Sequence, residues 1–344
     1  MSVSQTAGSE RLVAGRYRLR TPLGRGGMGV VWAADDELLQ RPVAIKEVRF
    51  PATIDEEERE TLRERTMREA RTAARLDHPC AVRVFDVCED DQQPFIVMER
   101  LAGRTLSDVI KGDGPLAPAR AAEIGLCLLD ALVAAHAAGI VHRDVKPGNV
   151  IVGDDGRVTL TDFGIASTAG DPSITSTGLL IGSPAYIAPE RARGCGPQPS
   201  SDLWSLGATL YTAVEGRPPF DKPEAVATLA AVITEPHTPC SRAGNALAHL
   251  IDRLLDKDPD GRPAPEEIRS LLEAVVADPE AQIASDAPVG VPEDGSRTGG
   301  HTMALSPLQD GPPVSGRQRL VALAALATVV FVLSAFISAM LTSR

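Results

Sequence analysis

Two short apolar runs, Val150, Ile151 and Val152 and then Val158 to Thr161, bracket the turn-forming stretch Gly153, Asp154, Asp155 and Gly156. Residues of high β propensity on both sides of a Gly/Asp turn predict an antiparallel hairpin centred near Asp155. Pairing outward from that turn sets Asn149 opposite Thr161, and so beside Asp162. An amide and a carboxylate therefore converge at the mouth of one hairpin. Both are hard oxygen ligands of the kind Mg²⁺ prefers, with phosphate and water completing its shell. Any one of these residues alone reads as a solvated loop residue, but their joint spacing is not expected by chance.

A second constraint lies upstream, where Leu23, Gly24, Arg25, Gly26, Gly27, Met28, Gly29, Val30 and Val31 contain G-x-G-x-x-G. Alone this pattern is weak, because dinucleotide-binding loops share it. Here the glycines sit between two β-rich runs, not at the opening of a helix, and lead to Val43, Ala44, Ile45 and Lys46. That context makes the loop a hairpin tip whose backbone N–H groups can close on phosphate oxygens, with a lysine on the next strand to meet them.

Strands are expected at 17–23, 30–34, 43–48, 82–88 and 95–99, with one long helix at 55–76 between the third and fourth. Thr53 followed by Glu56 fits a capping box at its start. The stripe Leu62, Thr66, Glu69, Ala73 and Leu76 turns Glu69 inward. A carboxylate there needs a cation, and Lys46 is the expected partner, held by it toward ATP phosphates. The back half reads as helices, including 119–138 and 247–255. The fold class is α+β: a small sheet lobe, then a larger helical lobe.

Composition narrows the function classes. Of 344 residues, 43% are hydrophobic and 24% charged, as in a folded globular chain, and 35 basic against 46 acidic residues give −11. The acidic balance argues against nucleic acid as a partner. Cys80, Cys88, Cys127, Cys195 and Cys240 are odd in number, far apart and in no C-x-x-C pair, so neither a zinc site nor a disulfide framework is expected, and a reducing compartment is. Residues 320–341 carry no charge, Pro, Gly, Asn or Gln. At about 1.5 Å per residue they would span roughly 33 Å, enough for a bilayer core. Before them, residues 277–319 are rich in Pro and Gly and read as a disordered juxtamembrane linker of roughly 35 Å reach. Residues 1–15 read as a flexible start, 16–276 as one domain (small lobe 16–99, large lobe 102–276) and 342–344 as a short tail, too short for an extracellular sensor.

With His142, Arg143, Asp144, Lys146, Pro147 and Asn149, then Asp162, Phe163 and Gly164, then Ala188, Pro189 and Glu190, residues 16–276 resemble the bacterial eukaryotic-like (Hanks-type) serine/threonine protein kinases. The resemblance implies the two-lobed kinase fold and transfer of the γ-phosphoryl group of ATP to Ser/Thr hydroxyls of proteins, with Mg²⁺ or Mn²⁺. It implies Asp144 as the group that orients and deprotonates the hydroxyl, Lys146 as a neutraliser of the transferred phosphoryl, Lys46 and Glu69 as the phosphate-aligning pair, and Asn149 and Asp162 as metal ligands. Lys146 matches the Ser/Thr class more than the tyrosine class. Met98, Glu99 and Leu101 match the hinge that contacts adenine, beside Ala44, with Met98 limiting pocket depth. Asp202 matches a buried support of the catalytic loop, and Arg262 the partner of Glu190. Arg143 needs an anion, and a phosphate on Thr175 or Thr177 would supply one, placed there by a second copy in a transient homodimer. Ser183, Gly148 and Arg100 depart from the commonest pattern without removing a catalytic group.

The implied location is the plasma membrane, single-pass, with the kinase domain cytoplasmic, the C-terminus outside and the bilayer itself a partner. Arg317 and Arg319 against Arg344 give only a weak positive-inside bias, so the need for ATP weighs more. A catalytically dead scaffold would lack a lysine, aspartate or metal ligand, and none is missing. A small-molecule phosphotransferase would not need the long segment from Asp162 to Glu190, whose length suits a peptide platform.

Overall fold

The computed structural model describes residues 11–26, 29–51, 53–163 and 183–277. Gly27, Met28, Gly164, Thr175, Thr177, the linker after residue 277 and the apolar run 320–341 lie outside them. Among the described residues, no helix is long and apolar enough to cross a membrane.

The chain opens with strands β1 (Leu12–Val13), β2 (Tyr17–Gly26), β3 (Gly29–Asp36) and β4 (Arg41–Val48), then helix α1 (Glu56–Ala73), then β5 (Val84–Asp90) and β6 (Gln93–Glu99). They form one antiparallel sheet in the order β1-β2-β3-β4-β6-β5. The period of two decides which face each side chain serves. Val43 and Ile45 of β4 and Phe95 and Val97 of β6 join an outer cluster with Tyr17 and Leu19. Ala44, Val48, Ile96 and Met98 face the other way, into the main core that continues through the large lobe. Lys46 shares the parity of Ala44 and Val48, so the same alternation that builds the sheet aims its one buried lysine inward.

Helix α1 is capped by Asp55, whose side chain accepts from the Glu58 N–H at 2.8 Å, and not by Thr53. Asp is as strong a cap as Thr, and it stands immediately before the first helical residue. Thr66, Met67, Ala70 and Ala73 form the buried face, with Glu69 at its margin.

The large lobe contains β7 (Arg104–Thr105), α2 (Leu106–Asp113), α3 (Pro118–Ala137), β8 (Val150–Val152), β9 (Val158–Leu160), α4 (Pro189–Ala192), α5 (Pro199–Glu215), α6 (Ala225–Thr234), α7 (Gly244–Leu254) and α8 (Pro265–Ala277). The predicted hairpin forms in the expected register, Val150 with Leu160 and Val152 with Val158. Helices α3 and α5 are buried along most of their length, and α3 packs against α5 and α8.

The cysteine expectation is corrected. Cys80, in the loop after α1, and Cys127, on α3, form a disulfide with Cα atoms 5.6 Å apart across a separation of 47 residues. Parity and local spacing cannot detect such a pair, because tertiary packing alone brings it together. Cys88, Cys195 and Cys240 are free.

Candidate active site

The loop between α3 and β8 carries the polar residues, and a buried carboxylate from elsewhere in the chain shapes it. Asp202, near the start of α5 and fully buried, accepts the backbone N–H of His142 and of Arg143, each at 2.8 Å, and lies 2.8 Å from His136 Nε2. Arg143 (φ 71°) and Asp162 (φ 66°) both occupy left-handed backbone. That conformation costs a non-glycine residue about 1 kcal/mol or more, so each needs a fixed partner. His142, also fully buried, donates from Nε2 to Thr161 O at 2.8 Å and meets the Phe163 ring edge-on at 4.7 Å. It ties the loop to the strand end that carries Asp162.

Asp144 stands at the centre of the resulting cluster. Its Oδ2 accepts from Lys146 Nζ at 2.7 Å and from Asn149 Nδ2 at 2.9 Å, and Asn149 Nδ2 also donates to Asp144 O at 2.8 Å. The hairpin closes beside it, Thr161 N donating to Asn149 O at 2.8 Å. With its NH₂ group spent on Asp144, Asn149 has its amide oxygen left to offer. Across the mouth, Lys46 Nζ donates to Asp162 Oδ1 at 2.7 Å. Burial pushes the Asp162 carboxyl up, but the Lys46 charge and hydrogen bond outweigh it and hold the group below the ordinary carboxylate range. A carboxylate and an amide oxygen fit a hard divalent cation that takes its remaining ligands from phosphate and water. Among the described residues, no group of three or more His, Cys, Asp or Glu could hold a metal by itself.

The expected pair Lys46–Glu69 is not formed. Glu69 Oε1 instead accepts from Arg143 at 3.1 Å and from Arg65, one turn earlier, at 3.3 Å. The physical reason is that two cations compete for two carboxylates: Lys46 takes Asp162, and Arg143, held under α1 by Asp202, takes Glu69. Glu69 Oε2 is buried without a hydrogen-bond partner among the described residues. Arg143 thus has an anion in this state, supplied by a helix far away in sequence.

On the sheet side, Gly29 is required by packing, since a Cβ there would lie 1.9 Å from Glu47 O. At Gly24 and Gly26 a Cβ would meet nothing within 4 Å. Packing among the described residues therefore does not demand glycine at those two positions, and bare backbone there leaves room for a ligand to approach. Val30 is buried, Val31 half-buried, and Leu23 and Arg25 exposed. Ala44 pairs with Met98 across β4 and β6, and both are buried. The Glu99 carboxylate is bound to Arg157 at 2.7 Å, and its N–H donates to Arg83 O at 2.9 Å. Leu101 is half-buried behind it.

Lower in the large lobe, Arg262 donates to both oxygens of Glu190 at 2.8 Å, and Ser201 adds a bond at 2.7 Å. Residues 17–272 match the protein kinase domain. This chain belongs to the protein kinase family. It is 42% identical over 236 residues to a probable serine/threonine-protein kinase of Corynebacterium efficiens, covering 67% of this chain and 35% of the relative. It is 38% identical over 252 residues to the serine/threonine-protein kinase PrkC of Bacillus subtilis, covering 72% and 38%. With the serine/threonine-protein kinase PknA of Mycobacterium tuberculosis it shares 41% over 232 residues, covering 66% and 53%. The chain spans about a third to a half of the length of these relatives.

Sequence reasoning did not single out His136, which joins Asp202, or the structural part of His142. An imidazole next to Arg143 and Asp144 was the available signal for the second, and none marked the first. Burial pushes the His142 imidazole down against the opposing pull of Asp202 and Asp144, so the ring is neutral in the fold. Protonation would also turn Nδ1, which faces the Asp144 N–H at 3.3 Å, from acceptor to donor. The unfolded chain takes up that proton near the ordinary value of 6.5, the fold only at lower pH. Stability is therefore lost as pH falls through that value. The thermal midpoint should drop between about pH 7.5 and about pH 5.5, and His142→Asn should flatten the dependence; equal slopes would contradict the assignment.

Proposed function

We propose that this chain is a membrane-tethered serine/threonine protein kinase that transfers the γ-phosphoryl group of ATP to protein hydroxyls and to its own activation segment. The observation that carries this reading is the convergence of Asp144, Lys146 and Asn149 on one carboxylate oxygen, opposite the Lys46–Asp162 pair. Asp144 orients the substrate hydroxyl and takes its proton as the oxygen attacks the γ-phosphorus. The bond to the β,γ-bridging oxygen breaks, and ADP leaves with that electron pair. Lys146, already at Asp144, lies where it can offset charge on the transferred group. Lys46 aligns the phosphates, while the open backbone at Gly24 and Gly26 receives them from above. The adenine stacks between Ala44 and Leu101, with Met98 behind it, and bonds to backbone at Glu99 and Leu101. Asn149 and Asp162 would hold a Mg²⁺ or Mn²⁺ ion, which when bound would supply positive charge against the phosphates. Glu190 with Arg262 and Asp202 with Arg143 act as supports.

The Glu69–Arg143 pair belongs to a resting arrangement in this reading, and activation moves Glu69 to Lys46. The full chain with ATP and Mg²⁺ should phosphorylate itself and a generic basic protein. Asp144→Asn and Lys46→Met should each lose at least about 100-fold in rate while the thermal midpoint changes little. Wild-type rates in either variant would refute the assignment.

A phosphate on Thr175 or Thr177 would compete with Glu69 for Arg143, since it brings a charge of about −1.5 to −2 against −1. The modification would be made in trans, between chains in a transient dimer. Peptide mass spectrometry of active enzyme should find phosphate on Thr175 or Thr177, and Thr175→Ala/Thr177→Ala should slow the kinase. An unmodified segment in fully active protein would exclude the switch.

Residues 320–341 are proposed as a single membrane span with the kinase domain in the cytoplasm. The full-length protein should resist extraction by high salt and alkaline carbonate and yield to detergent, and a chain ending before residue 320 should be released by salt alone. Salt release of the full-length chain would remove the anchor.

A further inference from the structure

Residues 74–83 join α1 to β5, and the stretch 79–82 is fixed to the large lobe by backbone as well as by sulfur. Leu160 N donates to Cys80 O at 2.8 Å and Val82 N to Leu160 O at 2.9 Å. Arg157 Nε reaches Pro79 O at 3.3 Å. The far end of α1 is held by the small lobe, through the ion pair of Arg63 with Glu89 on β5. The helix is thus hinged at its C-terminal end on β9 and α3, and carried at its start by the sheet. The Cys80–Cys127 bond spans that hinge, from the loop to α3. Hydrogen bonds at a hinge can open and re-form as a helix swings, whereas a covalent bond only permits positions that keep its geometry. In the disulfide-bonded state seen here, Glu69 meets Arg143 and not Lys46.

The pair is also placed for exchange with solutes. Both cysteines are half-buried at the edge of the core, not sealed inside it. The Cys80 N–H donates to His78 Nδ1 at 3.2 Å and Arg157 Nε donates to Pro79 O at 3.3 Å, so the backbone that carries the sulfur is held in place. Burial pushes the free thiols Cys88 and Cys240 up to about 11 and about 12, which makes them poor nucleophiles. In the cytoplasm proposed above for the kinase domain, a persistent disulfide is unusual and a reversible one is the common reason for such a pair.

We infer that Cys80 and Cys127 form a reversible oxidation site whose disulfide clamps the hinge of α1, and that phosphoryl transfer is faster with the pair reduced. The inference rests on the kinase reading above. In the oxidation, the Cys80 thiolate takes one oxygen of hydrogen peroxide, breaking the O–O bond and releasing water, to give a sulfenic acid. The Cys127 sulfur then displaces the hydroxyl, forming the S–S bond and a second water. Two thiols and one peroxide thus give one disulfide and two waters. A small dithiol reverses it by exchange through a mixed disulfide, leaving as its own disulfide.

The test uses the full chain in detergent micelles, treated with hydrogen peroxide or with dithiothreitol and then freed of either. Differential alkylation with peptide mass spectrometry reads the state of Cys80 and Cys127. Initial rates on a basic protein read activity, and amide hydrogen exchange over residues 56–76 reads α1. The expected result is a blocked pair after peroxide, a rate lower by about threefold or more and restored by dithiothreitol, and faster exchange in α1 on reduction. Cys80→Ser/Cys127→Ser should show the reduced rate with or without peroxide. Free thiols at both positions after peroxide, equal rates in the two states of an active enzyme, or a double variant still inhibited by peroxide would each overturn the inference. A chain that transfers no phosphate in either state would refute the kinase reading instead. The exchange comparison would then decide the clamp, faster exchange on reduction upholding it and unchanged exchange removing it.

Discussion

One buried carboxylate underlies the arrangement of the whole active-site loop. Asp202 is fully buried, and an ionised group there is tolerable only when its lone pairs are used. Two backbone N–H groups and the His136 ring use them. Those bonds in turn fix His142 and Arg143, hold the left-handed backbone at Arg143, and so determine where the side chain of Asp144 emerges. The loop has little regular structure of its own, and its rigidity is borrowed from α5, the most thoroughly buried helix of the large lobe. Removing the carboxylate would leave two buried N–H groups unpaired as well as releasing the strained backbone.

From that anchored loop, the balance of charge follows by exclusion. Lys46, Arg143, Glu69 and Asp162 are two cations and two anions within reach of one another's partners. Lys46 pairs with Asp162 and Arg143 with Glu69, and one Glu69 oxygen is left buried without a hydrogen-bond partner among the described residues. An arrangement with a visible deficit on one member is easier to exchange than one in which every atom is satisfied. The deficit falls on the helix that the proposed activation would move, not on the loop that Asp202 anchors.

How far these features were legible in the sequence depends on the range of the interaction. The β8–β9 hairpin and its register could be read because turn chemistry and β propensity act over a few residues, and Thr161 bonds to Asn149 as that register requires. Glu69 could be placed near the inner face of α1 by period alone. Its partner could not, because period fixes which way a helix faces and not where the helix sits as a rigid body relative to the lobe below. The α1 cap failed for a smaller reason: Thr53 and Asp55 are both good caps two residues apart, and only backbone geometry chooses between them. Cys80 and Cys127 were invisible for the same reason as the Glu69 partner, since their meeting depends on how the α1–β5 loop lies against α3.

The outer face of the small-lobe sheet carries a second buried polar network. Asp36, with its side chain fully buried, takes two hydrogen bonds from Arg16 at 2.7 and 2.8 Å and two more from the Leu38 and Leu39 N–H groups. Arg16 also reaches Asp86 at 3.3 Å, and Tyr17 donates to the same carboxylate at 2.6 Å. Burial pushes the Tyr17 hydroxyl up, so it remains a donor at any pH the fold survives. The network joins the turn before β2, the β3–β4 turn and β5 across the outer face of the sheet, over a hydrophobic cluster of its own. A sheet stapled in this way behaves as a plate. The Glu69–Arg143 pair beneath α1 is less fully satisfied than this network, one Glu69 oxygen being buried without a partner among the described residues.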